Sequence, residues 1–386
     1  MRLHRRCTNA RPIRTGSELC KREEAGFLWE LKIGGGRKSR PLALIMDLPA
    51  NPRILIIRLS AIGDCVMASP IPQALRAHFP DAHIAWAVRD KSRAVVSGNP
   101  CLDEIIPWHG GLGGLRGAAK LVRARRFDVV LETQGLIKST LLMALSGAPH
   151  RLVSPRFGAL SRALSTQIIE HPPGWIYPPD RYLYWAKALG APLPQQTRLF
   201  VPQSDTDRAQ AARFLSDNGV PDGALLIGIN AGCSAPARKW SVLNFAAAAN
   251  ALAAQFPDAR FVLLGSAQDC ADTAQLLQAL PPQRAFDAAG QLSLRASAAL
   301  IARCAVLLTG DTGPMHLSVA VGTPVVAICG PIKAAHRLPL HDPQSPHIGI
   351  DSPTGRIEDV APTVVVEAAR QILRAQAKER TALRKF

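Results

Sequence analysis

The sequence predicts an α/β protein built from two doubly wound Rossmann-like domains that face each other across a cleft. Three observations lead there: a length of 386 residues, strand-length apolar runs alternating with helical patterns in two separate stretches, and a Pro-rich break between those stretches. Single domains cluster near ~100–200 residues, so this length suits two. With 47% hydrophobic and 19% charged residues, the chain carries enough apolar surface to fill both cores.

In the first stretch Ile54–Ile57 reads as a strand, followed by a short loop from Ser60 to Asp64 and a helix to about His78 whose regularity is limited by Pro70 and Pro72. Further strands are expected at His83–Val88, Glu104–Pro107 and Asp128–Glu132, with helices around Arg89–Val96 and Leu115–Arg125. Near-continuous apolar strands are what a parallel sheet covered on both faces requires. The run from Gly110 to Gly117 lacks the dinucleotide-binding spacing and reads as a loop. Pro192, Pro194, Pro202 and Pro221 then break any period, which places a linker at 196–222. The alternation restarts with strands expected at Leu225–Asn230, Arg260–Leu264, Ala285–Ala288, Val306–Thr309 and Pro324–Ile328. Phe79-Pro80-Asp81-Ala82 recurs as Phe256-Pro257-Asp258-Ala259, each between a helix and a strand, as two related halves would have it. The expected division is a basic extension over 1–45, one Rossmann-like domain over 46–195, the linker, a second such domain over 223–355 and a C-terminal helix over 356–386.

The formal net charge is +17, and the first 45 residues, with 11 Lys/Arg against 4 Asp/Glu, leave +10 on the remainder. A basic surface concentrates phosphates, nucleic acid or acidic lipids. Only three tyrosines and no clustered aromatic platform argue against nucleic acid as the partner. Residues 1–45 lack the apolar segment of a secretory signal; they read either as a disordered basic arm or as a stretch ahead of a start at Met46. No apolar run reaches the ~18–20 residues that span a bilayer, the longest, from Leu317, being broken by Gly322, Thr323, Pro324 and Gly330. The eight cysteines show no metal-ligand spacing and read as reduced, buried thiols of a cytoplasmic protein. Neither a metal nor a cofactor is expected.

Ligands of open α/β sheets bind beyond the carboxyl ends of strands, so the loops there carry the candidates. Gly63-Asp64 follows the first strand; Asp64 is either a general base or a helix-capping carboxylate, and Gly63 permits close ligand approach. Gly310-Asp311-Thr312-Gly313-Pro314-Met315-His316 runs from a strand into an apolar helix. Free N–H groups there, the small Gly313 and the Thr312 hydroxyl suit a nucleotide diphosphate; Asp311 would cap the helix or orient the loop, and His316 would reach a phosphate oxygen. The plainer alternative is an ordinary capped helix with a solvated His. Gly232 to Trp240 ends in Arg238 and Lys239, either a pyrophosphate clamp or a surface pair anchored by Trp240. Asp269, opening a helix after the next strand, would accept hydrogen bonds from ribose hydroxyls or simply stabilise the helix. Asp205-Thr206-Asp207 looks like a metal-binding acid pair but sits at a helix start, where a cap is the simpler role.

Taken together, these loops resemble glycosyltransferase family 9, best known for ADP-heptose–lipopolysaccharide heptosyltransferases, over about residues 53–335. The likeness is strongest at Asp311-Thr312-Gly313-Pro314-Met315-His316-Leu317, followed by Gly322-Thr323-Pro324-Val325-Val326 and Gly330-Pro331, and continues at Ile54 through Gly63-Asp64 to Pro70. It implies a GT-B fold, with acceptor binding on 46–195 and nucleotide-sugar binding on 223–355. It also implies inverting transfer of a heptose, with Asp64 as base, from a donor such as ADP-heptose to the lipopolysaccharide core on lipid A. Arg238 stands where relatives place Lys two residues before Trp240, and Ile332 where they carry Thr. A sugar-nucleotide epimerase on the same fold stays open. Cytoplasmic placement is expected, with peripheral contact at the inner membrane.

Overall fold

A computed structural model of the protein describes residues 47–174 and 177–383; the basic extension expected over 1–45, with Cys7 and Cys20, lies outside the described residues. The first half alternates β1 (Arg53–Ile57), α1 (Ile62–Met67), α2 (Pro70–His78), β2 (His83–Arg89), α3 (Asp90–Arg93), β3 (Glu104–Trp108), α4 (Gly111–Ala124), β4 (Val129–Glu132), α5 (Ile137–Leu145), β5 (His150–Val153), α6 (Ala159–Leu164) and β6 (Gln167–Ile168). Helices α7 (Pro178–Lys187) and α8 (Asp205–Asp217) lead into the second half. That half contains β7 (Leu226–Asn230), α9 (Val242–Gln255), β8 (Arg260–Leu264), α10 (Cys270–Ala279), β9 (Ala285–Asp287), α11 (Leu294–Ile301), β10 (Val306–Gly310), α12 (Gly313–Ala320), β11 (Val325–Cys329), β12 (Ile348–Asp351) and α13 (Pro362–Leu383).

The two sheets share one topology. Their orders are β3-β2-β1-β4-β5-β6 and β12-β11-β10-β7-β8-β9, and the strands pair in parallel. Counted within its own half, each reads 3-2-1-4-5-6, with the direction of winding reversing beside its first strand. Ile54, Leu55, Ile56 and Ile57 are fully buried, as are Val306, Leu307 and Leu308, which is why these strands carry no polar alternation. One core gathers Leu55, Ile57, Phe127, Val130 and Met143; the other gathers Ile229, Trp240, Phe245, Phe261 and Leu308. Helix α13 closes the second core with Val365, Ala369 and Leu373. Among the described residues no helix is long and apolar enough to cross a membrane.

Several local expectations differ. The helix expected through His78 is two helices, because Pro70, lacking an N–H, fits the first position of α2 and ends the continuity with α1. The Gly110–Gly117 loop is largely helix α4. Burial of Ala118 and Val122 against the first sheet outweighs the poor helix propensity of its glycines, and Gly114 leaves room for the Trp108 indole, 3.1 Å from where a Cβ would stand. The 196–222 linker contains α8, capped by Ser204, whose hydroxyl accepts from the Asp207 amide while Asp207 accepts from the Ser204 amide. Strands β5, β6 and β12 are short and were not foreseen. Of the cysteines, Cys65, Cys304 and Cys329 are buried and burial pushes their thiols up to about 12, whereas Cys270 is exposed.

Gly135 and Gly113 give a paired test of the backbone. Gly135 has φ +76° and a Cβ there would lie 2.5 Å from the Phe157 ring, whereas Gly113 sits in a helix with nothing within 4 Å. Gly135→Ala is expected to lower stability by about 1–3 kcal/mol and Gly113→Ala to raise it by about 0.5–1 kcal/mol, read by urea denaturation.

Candidate active site

The candidate loops converge because both sheets present their reversal points to the same space. Asp64 follows β1 and Gln134 follows β4; Gly232 follows β7 and Asp311 follows β10. Ile57 pairs with Glu132 and Asn230 with Thr309, so each pair of loops starts from adjacent strand ends.

Asp64 is the third residue of α1, where the helix dipole favours an ionised carboxylate. Its Oδ2 accepts from the Ala61 amide at 3.1 Å and from Arg58 Nη2 at 3.0 Å. Arg58 is itself buried, extends from β1, donates to the Thr133 carbonyl and lies over the Tyr182 ring at 5.4 Å. Oδ1 is engaged by no described residue. Gln134 completes the support: its Oε1 accepts from the Leu59 amide at 2.9 Å and its Nε2 donates to the Ser60 hydroxyl at 3.2 Å.

On the other side, Thr312 caps α12 without a side-chain bond to the helix. Its hydroxyl instead meets Asn230 Nδ2 at 3.2 Å and Thr309 Oγ1 at 3.1 Å, which ties the β7 and β10 loops together. Asp311 is 3% exposed and lies 3.3 Å from both Arg238 Nη1 and Arg337 Nε, so one buried carboxylate anchors two guanidiniums. Lys239 Nζ lies 2.6 Å from Asp272 Oδ2. Trp240 is buried, and its indole donates to the Val360 carbonyl at 3.0 Å.

The two halves touch where Gly63 meets α12. A Cβ on Gly63 would fall 2.7 Å from His316 Cδ2 and 3.6 Å from the Gly313 Cα. His316 is thereby buried at 4% exposure, its Nδ1 has no hydrogen-bond partner, and burial lowers its pKa to about 4. It is a neutral imidazole at the junction, not the solvated side chain of the plainer sequence alternative.

Two cavities adjoin Asp64. The larger, about 920 Å³, is lined by Gly63 and Asp64 from the first half and by Arg238, Lys239, Asp269, Asp311, Thr312, Gly313 and His316 from the second. The smaller, about 710 Å³, is lined by Arg58, Arg156, Arg181, Lys333 and Arg337 with Phe157, Tyr182 and Trp185 as aromatic walls. Asp64, Met67 and Arg337 border both.

Every residue expected from the sequence thus borders one cavity, though with different duties. Asp311 neither caps α12 nor stands free; it positions the arginines. Asp269 Oδ2 accepts from the Ser266 amide at 2.8 Å and hydroxyl at 2.7 Å, capping its own loop while still bordering the cavity. Sequence reasoning missed Arg58, Asn230, Asp272 and Arg337. Arg58 stands between the first strand and the Ser60–Asp64 loop, two residues before Ser60, and could have been found as the cation nearest the carboxylate in sequence. Arg337 lies in a stretch with no period and left no signal.

Two parallel-sheet units with loops converging on a shared cleft are the GT-B glycosyltransferase fold. The crystal structure of the glycosyl transferase family 9 from Veillonella parvula superposes with a TM-score of 0.77 at 24% identity, covering 86% of this chain and 99% of that one. The structure of Escherichia coli ADP-heptose lps heptosyltransferase II gives 0.69 at 24% identity over 84% and 99%. Residues 116–352 match the model of glycosyltransferase family 9 (heptosyltransferase), and the chain belongs to that family. Lipopolysaccharide heptosyltransferase 2 of Salmonella typhimurium is 30% identical over 305 residues, which span 75% of this chain and 85% of that protein.

The neutral His316 predicts an acid-side loss of stability. The unfolded chain protonates it below 6.5 and the folded chain withholds the proton until about 4. Across that window the unfolded state binds more protons, so stability falls as pH falls, by at most about 3 kcal/mol for this one group. In His316→Gln the decline in melting temperature between those pH values is expected to be visibly shallower than in wild type.

Proposed function

We propose that the protein transfers a heptose from a nucleotide-diphosphate donor, ADP-heptose, to an acceptor sugar of the lipopolysaccharide inner core, with inversion at the anomeric carbon and Asp64 as general base. The observation that carries this reading is the position of Asp64 on the wall shared by two cavities: one bordered by the start of α12 and by Lys91, Arg238, Lys239 and Arg337, the other by cations and aromatic rings. A transferase needs its base between a donor site and an acceptor site. The names of the relatives above, both heptosyltransferases of lipopolysaccharide, supply the sugar and acceptor class.

In this reading the second domain, over 223–355, holds the donor. Its diphosphate lies at the Thr312–Gly313 start of α12, with Arg238 and Lys239 able to exchange their carboxylate partners for phosphate oxygens. His316, neutral and buried, borders the same cavity without adding charge. Asp269 borders the ribose end of the same cavity. The acceptor sugar occupies the smaller cavity on the first domain, over 46–195, against Tyr182 and Trp185.

Asp64 accepts the proton of the acceptor hydroxyl as its oxygen bonds to the anomeric carbon, and the bond from that carbon to the diphosphate oxygen breaks on the opposite face. The electron pair leaves with the diphosphate, whose growing charge is met by Arg238, Lys239 and the amides of α12. Arg58 holds Oδ2 and leaves Oδ1 for the hydroxyl. Work on a lipid-borne acceptor places the protein peripherally at the cytoplasmic face of the inner membrane.

Asp64→Asn is the direct test. Turnover is expected to fall by roughly 10²–10⁴ with donor affinity nearly unchanged; near-normal turnover would falsify the assignment. Arg238→Ala and Lys239→Ala are expected to weaken donor binding by about tenfold each, the usual worth of a partly exposed charged hydrogen bond. Calorimetry with ADP reads this directly, and unchanged affinity in both removes the clamp. Product analysis with nucleotide sugars and truncated core acceptors separates transfer from epimerisation of the donor.

A further inference from the structure

The smaller cavity opens beside a surface that carries exposed apolar side chains. Three large apolar side chains stand exposed there: Leu136 at 46%, Ile137 at 70% and Leu160 at 46%. They come from the starts of α5 and α6, which follow β4 and β5 at the same carboxyl edge of the sheet where Gln134, Arg156 and Phe157 line the cavity. Buried Glu132 binds the two helix starts into one surface, accepting from the Gln134 and Gly135 amides at 2.9 Å each and from the Ser161 hydroxyl at 3.3 Å. Phe157 packs under Gly135, and α5 and α6 pack on each other.

Charge completes the pattern. Between Glu132 and Glu170 the sequence holds Lys138, Arg151, Arg156 and Arg162 and not one carboxylate. Arg162 is exposed next to Leu160, and Lys138 follows Ile137 with its ammonium over the Trp108 ring at 5.1 Å. Single exposed leucines are ordinary, and Leu243 on α9 is one, 68% exposed. Three apolar side chains on two joined helix starts, in a stretch of chain that holds cations and no acid, are what an interfacial membrane contact requires.

We propose that Leu136, Ile137 and Leu160, with Lys138 and Arg162 around them, form the face by which the protein seats on an anionic lipid bilayer. The proposal rests on the reading above insofar as a lipid-anchored acceptor explains why a bilayer is met here. Apolar side chains at this rim enter the headgroup boundary and the cations meet lipid phosphates. The mouth of the smaller cavity then lies against the membrane surface, and an acceptor sugar standing on its lipid reaches Asp64 without leaving the bilayer.

The full chain is tested by co-sedimentation with phosphatidylglycerol/phosphatidylethanolamine vesicles and with pure phosphatidylcholine vesicles. Partitioning to the anionic vesicles is expected, weakening as salt is raised. The triple variant Leu136→Ser/Ile137→Ser/Leu160→Ser and the double variant Lys138→Glu/Arg162→Glu are each expected to lose about tenfold or more in partitioning with an unchanged melting temperature. Unchanged partitioning in both variants places membrane contact elsewhere in the chain and overturns the proposal. So does loss of a dimer in the triple variant with vesicle binding intact, which makes the face a self-association surface. Turnover adds a second readout: the triple variant is expected to match wild type on a deacylated, water-soluble acceptor and to fall about tenfold on the same acceptor carried in vesicles. Equal loss on both counts against the proposal. If wild type turns over neither acceptor, the transfer reading fails, while the partitioning data still decide the surface.

Discussion

The site depends on a single close approach, that of Gly63 to the first turn of α12. Helix α1 belongs to the first sheet and α12 to the second, and they meet where a hydrogen atom takes the place of a side chain. Any larger residue would have to displace the His316 ring, which is held in a fully packed setting. The carboxylate of Asp64, one residue further on, therefore borders the same cavity as the Thr312–Gly313 start of that helix. The same contact seals His316 from water and keeps it neutral, so packing and protonation state have one cause.

Around this junction the cations are held by carboxylates before any ligand arrives. Asp311 restrains Arg238 and Arg337, Asp272 restrains Lys239, and Asp64 is paired with Arg58. Flexible cationic side chains lose considerable rotamer entropy on binding an anion, and a partner already in place removes part of that cost. Asp311 is the pivotal member because it is buried while its arginines are partly exposed. The arrangement stores orientation and leaves the local charge near balance until a diphosphate enters.

The fold was legible because the central strands are buried on both faces, and an uninterrupted apolar run such as Ile54–Ile57 has few other uses in a chain of this size. Strands β5, β6 and β12, at or next to a sheet edge, were not, being two to four residues long with half-exposed positions. Helix α4 was hidden by its glycines, whose role appears only with the Trp108 ring against Gly114. At the site, residues fixed by a strand–loop–helix grammar stood out: Asp64, Thr312 and Arg238 each occupy a set place after a strand. Arg337 and Asp272 did not, because each is joined to the site by a long-range ion pair that local pattern cannot encode. Of the two duties expected for Asp311, capping the helix or orienting the loop, the cap is taken by Thr312, and the Asp311 side chain turns inward to the arginines.

In the proposed transfer, a base shared by two cavities solves a problem of like charges. Deeper in the donor cavity, a carboxylate beside the diphosphate would repel it. At the edge, with Arg58 on Oδ2 and Arg337 bordering both cavities, the carboxylate is separated from the donor phosphates by positive charge. Arg58 reaches Asp64 from the β1 end and Arg337 comes from the second domain, so the screening is complete only where the two halves are in contact. The surroundings of the Asp64 carboxylate thus depend on the same closeness of α1 and α12 that brings the two cavities together, and geometry and electrostatics of the proposed transfer cannot be changed independently.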